Sequence, residues 1–344
     1  MKKLFKKIFL RDAIKSFFYD DHALPIINKK INTDHFVSLD FFKRNKNKYG
    51  DKSYIIRRSP GAGLFSNFIY VLNHLKIADN LKMKPFVDMK NFTTIYNEKK
   101  RINNTFNAWN YYFKNKLNRK NKKNNKRIFI LTKNNFYKNF THNVYSDNFR
   151  NLFDKYFIID PIITKEANIY AKKNLDNNTL GLHYRGTSYK ISANHPYPAT
   201  KTQLYQELKR LIKKYKIKKI FLCTEDLSMF EFIKKKFYKK IIFTNSYRSY
   251  WDNAFRIYHR KFHRYLLGKE ILIDSIILSK CKYFLHTTTN VSEFVKFLDN
   301  KKKIKYFGLN NGMSSSNEYF ARWLWYYKNF APQIMGGFSN KLNN

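Results

Sequence analysis

The sequence predicts an α/β protein built on parallel sheet, in two domains. Three observations carry this. The second half alternates short apolar runs with helical stretches, the pattern of parallel strands joined by crossover helices. Polar clusters close three of those strands, at His183–Lys190, Thr224–Asp226 and Thr287–Asn290, the ends beyond which parallel sheets bind ligands. Nearer the start, Tyr54-Ile55-Ile56 leads through a glycine loop into a helix with Phe68, Val71, Leu72, Leu75, Ala78 and Leu81 on one face. A chain of 344 residues is long enough to give each of two domains its own core.

Residues 1–50 form a basic N-terminal extension. In MKKLFKKIFLRDAIKSFF, Leu4, Phe5, Ile8, Phe9, Phe17 and Phe18 make one stripe and the lysines occupy the rest. Such a helix can lie in an anionic membrane interface or pack on its own domain. Residues 20–52 read as a polar connector. The first domain, 51–165, holds the glycine loop, a second strand at Lys84–Asp88, an aromatic cluster at Phe106–Phe113, a Lys/Asn-rich run at Lys114–Arg127 expected as a mobile loop, and a strand at Ile128–Leu131. The aromatic cluster suits a core more than a sugar-stacking surface.

The second domain, 166–310, has expected strands at Leu180–Tyr184, Lys219–Cys223, Ile241–Phe243, Tyr283–Leu285 and Ile304–Phe307. Expected helices lie at Gln203–Lys214 and Lys269–Ser279, through Phe230 and Ile233, and through Phe294 and Leu298. Residues 311–344 form a C-terminal segment whose aromatic helix, Glu318–Phe330, is able to pack back across both domains.

Lys and Arg number 68 against 24 Asp and Glu, a net charge of +44 that attracts nucleic acid, acidic lipid or phosphorylated substrates. Abundant Lys, Asn, Ile, Phe and Tyr, all with A/T-rich codons, account for much of that excess. The lysines are spread rather than striped and no nucleic-acid-binding module is present, so no nucleic-acid partner is expected. A non-enzymatic nucleic-acid-binding protein is the alternative of a different class. The two cysteines, Cys223 and Cys281, sit in apolar strand-like contexts, which suits buried thiols in a reducing, cytoplasmic compartment. No apolar run is long enough to span a bilayer.

The stretch LGLHYRGTSYKISANHP, Leu180–Pro196, concentrates the chemistry. Arg185 can fork two hydrogen bonds onto phosphate oxygens, Gly186 admits backbone N–H groups, and Lys190 adds a second cation. An ordinary strand-to-loop edge with solvated charges is the competing reading. In the first domain, Gly61-Ala62-Gly63 allows a tight turn before a helix N-terminus, although the full dinucleotide fingerprint is missing.

These segments resemble a family. LGLHYRGTSYK with His195-Pro196 looks like the His-x-Arg-Arg-Thr-Asp-Lys…His-Pro stretch of α1,6-fucosyltransferases and nodulation fucosyltransferases. FLCTED (Phe221–Asp226) is similar to their strand ending in Thr-Asp-Asp, and GKEILIDSIILSKCKYFLHTTTN to their Asp-bearing helix, strand and Ser/Thr-rich turn. GAGLFSN (Gly61–Asn67) resembles the Gly-rich, Asn-containing loop of the wider superfamily. The resemblance implies a GT-B fold, with two Rossmann-like domains facing a cleft, a GDP-fucose donor held mainly by the second, and metal-independent inversion.

By that resemblance, Arg185 would hold the donor diphosphate and His183 border the nucleotide pocket. Asp274 would accept from the guanine edge, Thr288, Thr289 and Asn290 contact phosphate, and Thr224 and Asp226 line the pocket. Asn67, with Gly61 and Gly63, would close over the phosphates. The family's second Arg is Gly186 here, its Asp is Ser188, and Tyr189 precedes Lys190. The acceptor expected is a glycan or lipid-linked glycan of a surface polysaccharide. The alternative is transfer from another GDP- or UDP-sugar.

Without the family, sugar transfer still needs a cation at the leaving diphosphate and a base for the acceptor hydroxyl. No Asp-x-Asp occurs, so Arg185 and Lys190 take the leaving-group role and no metal cofactor is expected. For the base the candidates are His195, Asp88 and Glu98, with His195 first because it follows the Arg185 loop. His259 and His263 have the spacing of a metal pair but lack a carboxylate motif.

Overall fold

The computed structural model describes residues 36–37, 53–59, 63–116, 129–130, 140–252, 254–256, 260–299 and 302–342. The expected N-terminal helix, Gly61 and His259 lie outside them. The chain forms two units, Met1–Lys165 with Phe255–Leu272, and Glu166–Ala254 with Ile273–Asn344.

In the first unit the elements are β1 (Phe36–Val37), β2 (Ser53–Ile56), α1 (Leu64–Asn80), β3 (Lys84–Val87), α2 (Trp109–Tyr112), β4 (Phe113–Asn115), β5 (Phe129–Ile130), α3 (Asp147–Tyr156) and β6 (Phe157–Ile159). β2 and β3 pair in parallel with α1 between them in the chain, and α1 buries Phe68, Val71, Leu72, Leu75 and Ala78 as the hydrophobic period requires. β1 pairs in parallel with β5, so the polar connector carries a strand that its composition hides. The Lys/Asn run also begins differently from expectation. Lys114 lies in β4, antiparallel to β6, and its Nζ is 2.9 Å from buried Asp160. Trp109, Tyr111, Tyr112 and Phe113 are buried, so the aromatic cluster is core.

Residues 255–272 belong to the first unit, although sequence order groups them with the second. The cause is Tyr112. Its ring stacks on Tyr265 at 5.9 Å, its hydroxyl donates to the Tyr265 carbonyl, and it lies so close to Gly268 that a Cβ there would overlap it. Such contacts span more than a hundred residues of chain and leave no local pattern.

The second unit contains β7 (Thr179–Tyr184), α5 (Lys201–Tyr215), β8 (Lys219–Thr224), α6 (Leu227–Lys236), β9 (Ile241–Ile242), β10 (Tyr283–His286), α8 (Asn290–Leu298), β11 (Lys305–Gly308) and α9 (Glu318–Phe330). Helix α4 (Pro161–Asn174) leads into it from the first unit, and α7 (His263–Leu278) runs through its other entry point. The sheet order is β11-β10-β7-β8-β9, all parallel, which makes the protein mixed α/β with a parallel sheet.

β7 is buried along its whole length because helices cover both faces, so its residues do not alternate between buried and exposed. Leu204, Leu208 and Leu211 of α5 pack onto Leu180, Leu182, Ile220 and Leu222. Burying each such leucine contributes about 1.5–3 kcal/mol. Thr200 and Gln203 close a capping box that starts α5. On the other face, a Cβ at Gly181 would stand 2.8 Å from Leu278 Cδ2, so only glycine lets the end of α7 lie on β7. The register aligns His286 with His183 and Tyr184 with Thr224, bringing the carboxyl ends of β10, β7 and β8 to one edge.

Candidate active site

The three polar clusters meet at that edge. The Thr287 N–H donates to the His183 carbonyl at 3.1 Å, and Arg185 N–H reaches Thr287 Oγ1 at 3.5 Å. The strand ends of β7 and β10 are thus tied directly. Thr289 caps α8, accepting from Ser292 N–H in a capping box. Asn290 opens that helix and Thr288 is exposed just before it. The first turn of a helix offers unpaired N–H groups and the positive end of its dipole, and this one starts beside the Arg185 loop.

Arg185 is held on several sides. Its Nη2 donates to Ser188 Oγ at 2.8 Å, its Nε lies 3.7 Å from Glu225 Oε1, and its guanidinium stands 5.8 Å from the Tyr189 ring centroid. About a third of its side chain is exposed, at 36%. A fixed, partly exposed guanidinium is suited to a bidentate anion. Tyr189 packs on its other flank against His195, ring centroids 4.7 Å apart. The His195 Nδ1 lies 2.6 Å from the Ala193 carbonyl, which can only accept. Nδ1 therefore donates to that carbonyl, which leaves Nε2 as the ring nitrogen able to take up a proton.

Glu225, which sequence reasoning left out of the site, organises the loop. Its Oε1 accepts from Gly186 N–H at 2.8 Å, Thr187 N–H at 3.0 Å and Thr187 Oγ1–H at 3.1 Å. The backbone N–H groups expected to face phosphate are thus engaged by an internal carboxylate. A Cβ on Gly186 would overlap the Asp226 carboxylate and the Tyr184 ring. The loop as folded therefore has no room for a side chain at position 186.

Asp226 is 1% exposed. One oxygen caps α6 through Met229 N–H at 2.9 Å, and the other lies 2.6 Å from Lys190 Nζ. Lys190 is thereby fixed to the floor of the loop, with its ammonium 5.0 Å from the Trp325 ring centroid. Thr224 accepts from Asp226 N–H. Asp274 is buried and accepts from Thr244 Oγ1–H at 2.5 Å and Ser246 Oγ–H at 2.9 Å, donors from the loop after β9 that the sequence did not single out. Arg248 braces that loop, donating to the Ser246 and Thr244 carbonyls.

His183 is buried, and its Nδ1 has no hydrogen-bond partner. Burial first, then His286 and Arg185, push its pKa down to about 3. Burial and Lys296 push His286 down to about 4. Both rings are neutral at pH 7. Burial also raises both free thiols, Cys223 and Cys281.

In the first unit, Asn67 is 2% exposed. Its Oδ1 accepts from Ser59 N–H at 2.9 Å and its Nδ2 donates to the Gly63 carbonyl at 3.2 Å, so it closes its own loop. Asp88 accepts from Lys90 and Asn91 N–H in a local turn, and Glu98 accepts from Tyr265 N–H. These contacts give both carboxylates structural work. His263 is buried beside Arg260, which forms a bidentate pair with Glu270. Among the described residues, no group of three His, Cys, Asp or Glu side chains could hold a metal ion.

Fold and site together define an α/β protein with a fixed arginine, a helix N-terminus and a histidine at the carboxyl edge of a parallel sheet. No family model and no curated protein matches the chain. It is similar to solved structures of NodZ alpha-1,6-fucosyltransferase. The one co-crystallized with GDP is 12% identical at a TM-score of 0.48, covering 72% of this chain and 92% of that one. The enzyme from Bradyrhizobium gives 12%, 0.45, 71% and 92%. POFUT1 in complex with GDP-fucose gives 8%, 0.43, 76% and 99%.

Proposed function

We propose that this chain is a glycosyltransferase that moves a sugar from a nucleotide diphosphate donor to a hydroxyl acceptor. The observation that supports it most is the direct tie between the Arg185 loop and the turn opening α8. Two sources of positive potential sit side by side where a parallel sheet binds ligands. In this reading Arg185 and the first turn of α8 hold the diphosphate and stabilise the charge that grows on it. The acceptor hydroxyl attacks the anomeric carbon from the opposite face, its proton passes to His195 Nε2, and the bond to the diphosphate oxygen breaks with its electron pair. Configuration inverts, and Arg185 replaces a divalent ion.

The motif resemblance makes GDP-fucose the donor and a glycan or lipid-linked glycan the acceptor. Asp274 then faces the guanine edge. The test is a thermal-shift and donor-hydrolysis screen over GDP, UDP and their sugars. Protection by GDP and release of GDP from GDP-fucose, both unaffected by a chelator, are expected. Protection by no nucleotide diphosphate would overturn the proposal.

A further inference from the structure

We propose that the outer face of α9 and the turn after it form a docking surface for an anionic lipid bilayer. This inference does not depend on the reading of the nucleotide site. Ala321 and Trp325 are the buried side of the helix, with Trp325 Nε1 donating to the Pro198 carbonyl at 2.9 Å. On the opposite side, Tyr319, Trp323, Tyr327 and Phe330 recur at helical spacing and point to solvent, Trp323 at 74% and Phe330 at 82% exposed. Ile334, 96% exposed, and Met335 extend the same apolar surface past the helix.

That exposed tip is built, not frayed. Tyr327 Oη donates to the Met335 carbonyl at 2.8 Å, Lys328 Nζ to the Gly336 carbonyl at 2.9 Å, and Phe338 N–H to the Lys328 carbonyl at 2.7 Å. Gly336 turns the chain at a φ of +83°, a conformation that suits glycine. With the exposed rings of α9, Ile334 and Met335 add to an apolar surface of the kind that marks an interaction site.

Charge selects the occupant. Residues 300–344 carry seven Lys and Arg but a single carboxylate, Glu318, and the whole chain is at +44. Two copies would repel each other, whereas an anionic headgroup layer attracts this surface. Trp and Tyr settle at the headgroup level, Phe and Ile below it, and exposed Arg322 reaches back to the phosphates. Sugar stacking uses flat rings with polar neighbours and would not employ Ile334 or Met335.

Co-sedimentation with vesicles of equal parts phosphatidylglycerol and phosphatidylcholine tests this, against vesicles of phosphatidylcholine alone. The full chain should bind the first and not the second. The triple variant Trp323→Ser, Phe330→Ser, Ile334→Ser should bind the anionic vesicles at least about tenfold more weakly with an unchanged thermal melt. Equal binding by the variant, or no binding by the unaltered chain, overturns the proposal. So does lipid-free self-association that the triple variant abolishes, which would assign the face to a second copy. If the triple variant does not fold, brominated lipid decides. In a Trp251→Phe chain the one exposed tryptophan among the described residues is Trp323, and its fluorescence should be quenched; unquenched fluorescence overturns the proposal.

Discussion

The carboxylate of Glu225 accepts the backbone N–H of Gly186 at 2.8 Å, and the Thr187 N–H and hydroxyl share the same oxygen. An internal anion therefore sets the shape of the loop that carries Arg185. Removing it with Glu225→Ala leaves buried donors unsatisfied, at a cost of about 1–3 kcal/mol. Glu225→Gln keeps an acceptor oxygen and should recover most of that stability. Denaturant melts of both variants, read beside GDP protection, check the order.

Arg185→Ala should abolish nucleotide protection while leaving the melting curve of the ligand-free chain nearly unchanged. Its charge-assisted hydrogen bonds to an anion contribute about 1.5–3 kcal/mol each, so donor turnover should fall by about tenfold to more than a hundredfold. Steady-state kinetics of GDP release measure it.

Gly186→Ala places a methyl against Asp226 and Tyr184. Overpacking of this kind costs about 1–3 kcal/mol, and the melting temperature should drop accordingly. Gly186→Arg, a far larger side chain at the same crowded position, should be worse still. A stable, active Gly186→Arg protein would show that the loop has room it does not display.

Acid should weaken the fold through two rings. His183 and His286 are held neutral, at about 3 and about 4, whereas an unfolded histidine titrates near 6.5. Between those values the unfolded chain binds more protons, so stability falls as pH drops from about 6.5 toward about 4. Replacing both histidines by Gln should flatten that slope in urea melts taken across the interval.

Much of the second unit was legible because its central parallel strands, buried on both faces, are mostly apolar and end in polar clusters. The helix Glu318–Phe330 matches its expected limits, and the β7, β8 and β10 ends come within a residue of theirs. In the site, His183, Arg185 and the Thr287–Asn290 turn were readable for the same reason. Glu225 was not, since a carboxylate one residue past a strand looks the same whether it faces solvent or three N–H and O–H donors. Thr244 and Ser246 were hidden likewise, because β9 is two residues long. The strand Phe36–Val37 and the return of 255–272 to the first unit depend on distant partners, which no window of sequence contains.

One tyrosine ring, Tyr189, lies against both the guanidinium of Arg185 and the imidazole of His195. The two groups proposed for opposite halves of one reaction therefore share a wall. Moving either group displaces the Tyr189 ring on which the other rests, so a substitution at Arg185 or at His195 is felt at both.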